Sequence, residues 1–464
     1  MEDKEDDDYE YRIKEGDYVV LKRHEIYKAV QIQLKKKVIF EKQWIFLDKA
    51  VGQLYRTSFE IVSGGSLQPL QVKDSESLTE AKVAGTDNRS INDDGKSQKL
   101  TKDDIEMLKE QGLKSEEIVQ QLIDSSSTFN DKTGYSQEKY IKKKKKKYEN
   151  TVTILKPTCR ILAMMYHGRE PGKICHMRYD TLAQILTLAN IHAGSKVLVF
   201  DTCAGLVLGS IMERMGGYGS VIQMYPGAGP VRAAVESFGF PARFHDMLHE
   251  FPICHVNALM AGTLDVAGKD SVADGKQVNV TADEEQNQQE GGPGEESMET
   301  KTSGGTEQDQ ETIEKEERRK AKAEERKVKL EEKQRKLAAA AALLEGRNAD
   351  GLVIASRFHP CPVVLRLIEF VSPSRPFVVY SQYLEPLIEC YTKLKERGGT
   401  VNLRITDTWL RRYQVLSDRT HPLLLMSGGG GYVLSGTTVA LDRSKPASSP
   451  QALEPAAKRQ KLKD

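Results

Sequence analysis

The feature that most constrains this chain is a rhythm that stops and then starts again. From residue 196 apolar strands alternate with glycine turns and helical stretches. A strand at 196–200 leads into a turn at 201–205 and a helix reaching Met215; a strand at 220–225 and a helix at 231–238 follow. The rhythm fails near residue 261 and resumes at Asp350, with strands at 352–355, 377–380 and 400–405 and helices at 363–370 and 385–397 between them. Strands that alternate with helices are joined by right-handed crossovers into a mostly parallel sheet. The two runs therefore read as halves of one α/β domain, and the stretch between them as an insert.

The rest of the 464 residues divides by composition. Residues 1–12 form an acidic N-terminus read as disordered. Residues 13–85 carry short strand-like runs at 18–21, 29–34, 38–40, 45–47 and 59–62, then a polar linker. Val30, Ile32 and Leu34 alternate with Gln31 and Gln33, the period of a half-buried strand, so a small β-barrel is expected. Residues 86–150 hold a polar loop, short helices and a lysine run. Thr101 and Asp104 have the spacing of a capping box. The α/β domain is assigned to 151–260 and 348–442. Of the insert, 261–310 is rich in Asp, Glu, Gln, Gly and Ser and nearly free of large apolar residues, the composition of disorder. Residues 311–347 turn to Glu, Lys, Arg and Ala and read as a charged helix without the apolar stripe of a coiled coil. Residues 443–464 form a disordered basic tail.

Net charge is +1, so the total says nothing about partners, whereas the segregation of acids from bases does. The six cysteines show no Cys-x-x-Cys, which suggests neither a disulfide framework nor a zinc ribbon and fits a reducing, intracellular compartment. The opening MEDKEDDDYEY lacks the apolar core of a secretory signal. No apolar run approaches membrane-spanning length, so no membrane partner is expected.

The turn after the 196–200 strand is where such a sheet would hold a nucleotide-type cofactor, with glycines at alternate positions letting the backbone approach it. Here it reads Val199-Phe200-Asp201-Thr202-Cys203-Ala204-Gly205-Leu206-Val207. Asp201 and Gly205 fit an acid-x-Gly-x-Gly-x-Gly pattern, but Cys203 and Val207 stand at the other glycine positions. Tyr225, followed by Pro226, ends the next strand, where an acid would take ribose hydroxyls. A plain βα turn that never held a cofactor is the lesser alternative for these residues.

Several stretches carry a resemblance to a known family: FEKQW (40–44), DDGKSQKLT, EEIVQQLI, KYIKKKKKKYE, HMRYDTLAQ, TCAGLVLG, NADGLVIASRFHP, RPFVVY, YTKLKERGG and MSGGGGY. Through them the chain resembles the non-catalytic subunits of the eukaryotic tRNA adenine-N1 methyltransferase, the enzyme acting on the T-loop adenosine at position fifty-eight. The resemblance spans all but the N-terminus, the acidic insert and the tail. It implies an α/β, Rossmann-like (AdoMet-methyltransferase-like) parallel-sheet domain preceded by a small N-terminal β-barrel domain. It also implies a heterotetramer, α2β2, with a catalytic paralogous subunit that binds S-adenosylmethionine (AdoMet). No cofactor is then expected in this chain. The catalytic paralogue's aspartate at the end of the fourth strand maps onto Ala355, whose methyl group can neither accept a proton nor orient an amino group. Catalytic residues are thus expected to be absent, with Asp201, Cys203, Val207, Tyr225 and Ala355 as degenerate positions.

Shape-reading of tRNA needs cations laid along phosphates. The candidates are Arg89, Lys96, Ser97 and Lys99 in the polar loop, and Lys142, Lys143, Lys144, Lys145, Lys146 and Lys147, flanked by Tyr140 and Tyr148. Within the α/β domain they are Arg169, Lys173 and Arg178 around a Pro171-Gly172 turn, Arg357 after the fourth strand, and Lys395, Arg397, Arg411, Arg412, Arg419 and His421. Lys329 represents the basic stretch 326–336. The plainer alternatives are a solvated surface charge for each, plain disorder for the polar loop 88–99, and a self-repelling linker for the lysine run. Gly95-Lys96-Ser97 mimics the end of a P-loop, but Ser90 replaces its first glycine and no strand precedes it. His245, His249, Cys254 and His255 crowd together without a metal-binding frame, so no metal is expected. Gly428 to Gly431 precede a strand rather than a helix and read as a turn. The tail Ala457-Lys458-Arg459-Gln460-Lys461-Leu462-Lys463 suggests a nuclear-localisation signal.

The expected function is a non-catalytic, tRNA-binding subunit that positions the T-loop adenosine for its partner. A general RNA-binding or translation-linked protein, or a self-sufficient divergent methyltransferase, are the alternatives.

Overall fold

The computed structural model describes residues 11–70, 97–110, 115–148, 150–227, 229–264, 307–415, 420–423 and 429–440. The acidic N-terminus (1–10), most of the acidic insert, the basic tail, and the candidates Arg89, Lys96 and Arg419 lie outside the described residues.

The N-terminal unit contains β1 (Tyr18–Arg23), β2 (Ile26–Gln31), β3 (Lys37–Phe40), β4 (Gln43–Phe46), β5 (Ser58–Ile61) and β6 (Leu67–Pro69). Its fifth sheet strand comes from much further along the chain. β7 (Thr151–Leu155) lies between β1 and β5, giving the antiparallel order β2-β1-β7-β5-β6, with β3–β4 as a separate hairpin. Composition and rhythm alone place 151 onward in the α/β domain. The alternating burial of Val152 and Ile154 fills the core of Val19, Leu21, Phe40, Ile45 and Phe59 instead, as a half-buried strand requires.

Residues 97–148 thus lie between β6 and β7, two strands of one sheet. They form α1 (Lys102–Glu110), α2 (Ser115–Asp124) and α3 (Gly134–Tyr148). The capping box forms as the sequence predicts: Asp104 N donates to Thr101 Oγ1 at 3.2 Å, and Thr101 N to Asp104 Oδ2 at 2.9 Å. The lysine run is not a linker. It forms the last turns of α3, where cations meet the negative end of the helix dipole.

α4 (Cys159–Arg169) and α5 (Tyr179–Leu188) lead into β8 (Lys196–Asp201), α6 (Leu206–Met215), β9 (Ser220–Tyr225), α7 (Ala233–Ser237), α8 (Ala242–Asp246), β10 (Leu248–Pro252) and α9 (Val256–Ala261). After the undescribed insert come α10 (Glu307–Glu345), β11 (Gly351–Ala355), α11 (Pro360–Leu367), β12 (Pro376–Ser381), α12 (Glu385–Arg397), β13 (Thr400–Asp407), a small β14 (Tyr413–Gln414) and β15 (His421–Pro422) pair, and β16 (Tyr432–Thr438). The seven-stranded sheet has the order β10-β9-β8-β11-β12-β16-β13. Every pair from β10 to β12 is parallel, and β16 runs antiparallel to both its neighbours.

Helices cover both faces, so the central strands are continuously apolar: Val197, Leu198, Val199 and Phe200 are all buried, as are Leu352, Val353 and Ile354. One core joins α4, α5 and α6 to the sheet, and the other joins α9, α11, α12 and the end of α10. α10 runs for about 58 Å at 1.5 Å per residue. Among its described side chains, those buried belong to its final turns: Ala340, Ala341 and Leu344. The N-terminal unit is locked on by Val20 and Tyr27, which enter the first core, and by Arg169 Nη1 donating to the Tyr27 carbonyl at 3.1 Å.

Candidate functional site: a filled glycine turn and a basic face

In a doubly wound sheet the ligand crevice opens where neighbouring strands send the chain in opposite directions. Here that point lies between β8 and β11. The strands remain stitched one step beyond their ends. Thr202 N donates to the Ala355 carbonyl at 3.0 Å, and Arg357 N donates to Thr202 Oγ1 at 2.9 Å.

The turn itself is folded inward. Asp201 is buried, and its carboxylate accepts from the amides of Cys203 and Leu208, the latter at 2.9 Å. Burial pushes this carboxyl up to about 6, against the opposing pull of those amides. Cys203 and Val207 are fully buried. The Cys203 thiol lies 3.6 Å from the Ala355 carbonyl and against the Cys175 thiol, and that contact together with burial pushes it up. Cys175 is fixed in turn by Tyr380, whose hydroxyl donates to the Cys175 carbonyl at 2.8 Å.

Backbone closes the outer side. Gly205 takes φ +80°, and a Cβ there would stand 3.1 Å from both Arg232 Cα and the Val231 carbonyl oxygen. Ala234 N donates to the Ala204 carbonyl at 2.9 Å, holding residues 231–234 over the turn. The glycine is needed, but what approaches it is the chain itself.

Tyr225, at the end of β9, faces a different environment. It lines a cavity of about 430 Å³ with Gly227, Pro230 and His255, roofed by Lys329, Lys333 and Lys336 of α10. Among the described residues no group of His, Cys, Asp and Glu is placed to hold a metal ion.

The basic candidates fall into three sets. Ser97, Lys99 and the lysine run are brought together: Gln98 Nε2 donates to Tyr140 Oη at 3.1 Å, and Ser127 N donates to the Ser97 carbonyl at 2.9 Å. Lys142 and Lys143 are exposed, and Lys144 Nζ lies 5.2 Å from the Tyr140 ring centroid. The side chains of Lys146 and Lys147 lie outside the described residues.

A second set is occupied by structural contacts. Arg178 is a correction to the sequence reading: only 3% exposed, it forks onto Asp180 at 2.9 and 2.8 Å and donates to the Thr408 carbonyl at 2.6 Å. A guanidinium so enclosed has no face left for phosphate. Arg169 ties α4 to β2, and Arg397 reaches Glu369 at 3.4 Å. Lys173 pairs with Glu170 at 2.6 Å and Lys329 with Glu325 at 2.6 Å, both on exposed helical surface where such pairs are weak.

The third set surrounds the C-terminal ends of the strands and the β14–β15 pair. Arg357 is exposed beside the β8–β11 junction. Arg412 is 3.7 Å from Glu25 and His421 is exposed on β15, whereas Lys395, in the last turn of α12 before β13, stands apart at the opposite edge of the sheet, 5.7 Å from the Tyr391 ring. Arg411 sits between two rings, 5.8 Å from Trp409 and 5.9 Å from Tyr413.

The chain matches the Gcd10p family over residues 12–322. The chain belongs to this family. It is 57% identical over 474 aligned residues to the tRNA (adenine(58)-N(1))-methyltransferase non-catalytic subunit of Mus musculus, covering 97% of this chain and 95% of that protein. To the non-catalytic subunit of the same name from Dictyostelium discoideum it is 33% identical, covering 92% and 79%. Among solved structures, a tRNA (m1A58) methyltransferase from Aquifex aeolicus is a remote likeness, 11% identical with a TM-score of 0.42 over 93% of this chain and 100% of that one.

Two features of this Gcd10p-family chain escaped the sequence reading. Trp409 is 77% exposed and Tyr413 50%, a ring pair around Arg411 that the Trp-x-Arg-x-Tyr spacing could have revealed. The closure of the Asp201 turn by residues 231–234 left no signal, because it is made by backbone atoms.

Proposed function

We propose that this chain is the non-catalytic, tRNA-binding subunit of a tRNA (adenine(58)-N(1))-methyltransferase, holding the T-arm so that the adenosine reaches a catalytic paralogue's site. Family membership supports the assignment, and the observation that carries the division of labour is the filled turn after β8. A nucleoside cofactor does not fit there: Cys203 and Val207 occupy the interior, the Asp201 carboxylate is spent on the turn's own amides, and residues 231–232 cover Gly205. Ala355, buried at the end of β11, offers no acid or base to an adenine. AdoMet is accordingly the partner's cofactor, and the assembly is an α2β2 heterotetramer located in the nucleus. The chain contributes positioning, which acts by converting a bimolecular encounter into a held geometry. Its phosphate-facing surface is the α3 lysine helix with Ser97 and Lys99, together with Arg357 and the Arg411–Arg412–His421 edge.

The test is methyl transfer from labelled AdoMet to unmodified tRNA, by this chain alone and by its mixture with the catalytic paralogue. Activity in the mixture alone is expected. Transfer by the pure chain would overturn the reading.

A further inference from the structure

The β3–β4 hairpin, built around the FEKQW stretch, is apolar on both of its faces. Side chains alternate across a hairpin, and Phe40 and Ile45 turn inward and are buried. Ile39 and Trp44 stand directly opposite each other on the outer face. They are 57% and 59% exposed, so this second apolar face has no cover within the chain.

The setting of that face is basic. Lys35, Lys36, Lys37 and Lys42 surround it with Glu41 as the one acid in the stretch 35–44, and all five are exposed. Lys37 Nζ lies 4.4 Å from the Trp44 ring centroid. Glu41 and Lys42 form the turn with φ of +49° and +65°, a left-handed pair that Asn-Gly would adopt with less strain. The turn thus holds a cation at the exposed tip against a backbone cost.

The hairpin is also held still and placed beside the lysine helix. Gly65, at φ +76°, packs so closely beneath it that a Cβ would collide with the Trp44 carbonyl oxygen. Arg23 Nη2 donates to Gln43 Oε1 at 3.1 Å and to Asn150 Oδ1 at 2.9 Å, and Arg23 Nε to the Thr151 carbonyl at 3.1 Å. Asn150 comes directly after the end of α3, so one guanidinium fastens the hairpin to the exit of the lysine helix.

We infer that the outer face of β3–β4 is a stacking platform for an unpaired base of a bound RNA, with the Trp44 indole against the base and Lys35, Lys37 and Lys42 toward its flanking phosphates. Charge selects an anionic partner, and size selects a base. Two apolar side chains are far short of the roughly 800 Å² that a protein partner takes from each side, whereas one ring suffices for one base. Lys37, on a flexible stem, moves from the ring to a phosphate as the base arrives. The inference rests on the tRNA reading and adds to it a contact that reads an unstacked base.

The test uses the chain's two tryptophans, Trp44 and Trp409. In the full-length Trp409→Phe variant Trp44 is the sole indole, and its emission is followed as unmodified tRNA is added. Saturable quenching is expected. In direct binding, Trp44→Leu weakens tRNA affinity about tenfold and Trp44→Phe less than about threefold, because a phenyl ring still stacks. Lys37→Gln with Lys42→Gln lowers the slope of log affinity against log salt by about one to two, and an unchanged slope overturns the phosphate contacts. Binding of tRNA with Trp44 emission unchanged overturns the inference and leaves the tRNA reading standing. If tRNA does not bind at all, the tRNA reading falls, and titration with a short single-stranded oligoadenylate decides the platform by itself: quenching upholds it and constant emission overturns it. A blue shift of Trp44 emission on adding the catalytic paralogue without RNA identifies a protein interface and overturns it too.

Discussion

The ends of β8 and β9 lie side by side on one edge of the same sheet, yet one is closed and the other open. At β8 polar groups of the turn are consumed within the fold: the Asp201 carboxylate by amides, the Ala355 carbonyl by Thr202 N, and the Ala204 carbonyl by Ala234 N. At β9 the chain leaves Tyr225 facing a cavity under a row of lysines, with a buried Arg232 nitrogen unpartnered. The same architecture that offers a crevice at each strand end can thus retain one and fill the other. What decides is whether the following loop lies back over the strand. Residues 231–234 do so over β8, whereas Gly227 and Pro230 line the open cavity at the end of β9.

If the closure at β8 is built by backbone approach, the largest effect belongs to Gly205→Val. The substitution places a β-branched residue at φ +80° with its Cβ 3.1 Å from Arg232 Cα and the Val231 carbonyl. The left-handed conformation and the overpacking together cost about 3–5 kcal/mol. A shift of the urea midpoint equivalent to less than about 1 kcal/mol would show that residues 231–232 yield easily, and the contrast with β9 would collapse.

The second effect is one of pH. Burial raises Asp201 from an ordinary 3.8 to about 6 in the folded chain, against the two amide bonds it accepts. Between those values the folded state holds the proton while the unfolded state has released it. The stability this group contributes is therefore fully present below about pH 4 and lost as pH rises to about 6, with little further change above. A shift of about two units corresponds to about 3 kcal/mol. Asp201→Asn should erase that slope in urea unfolding compared at pH 4 and pH 7. At neutral pH the variant avoids a buried charge but accepts from one amide fewer, so its net stability stays near that of the parent. Identical slopes in the two proteins would mean that the amides hold the carboxylate ionised throughout.

How far the sequence foretold this contrast depends on which atoms make it. The parallel sheet was legible because strands covered on both faces must be apolar throughout, and Val197 to Phe200 or Leu352 to Ile354 can be little else. The α/β domain as read from the sequence begins at 151 and so takes in β7, which pairs in the N-terminal sheet: Thr151 to Leu155 has the alternation of any half-buried strand, and nothing local states that its partners lie beyond an inserted helical unit. The lysine run, a tRNA-binding candidate with a linker as its alternative, was not legible as a helix because its charge masks the seating, which depends on Gln137 donating to the Phe129 carbonyl and on Tyr140 packing on Phe129. Arg178 read as surface because its partner Thr408 is 230 residues away, although Asp180 was in plain view. At the turn, Cys203 and Val207 in place of glycine pointed in the right direction. The stronger obstacle, main chain over Gly205, is written in no side chain.

That last point yields the smallest expected effect and the sharpest test. Cys203→Gly and Val207→Gly, combined with Tyr225→Glu, would restore the glycine pattern of a nucleotide-binding turn and the acid at the end of the second strand. If side chains alone closed the site, the triple variant would recover AdoMet binding. Residues 231–234 remain over the turn in that variant, held by Ala234 N on the Ala204 carbonyl and by Arg232 on Gln223 and Glu250. None of those contacts involves the three altered side chains. Glycine at 203 and 207 also leaves voids in a core where Cys203 and Val207 are fully buried, so collapse around them is favoured over opening outward. No saturable AdoMet binding is therefore expected, by equilibrium dialysis of the variant in parallel with the parent. Binding in the micromolar range would place the closure in the side chains after all, and the β8 end would then differ from the β9 end in its residues alone and not in the path of its backbone.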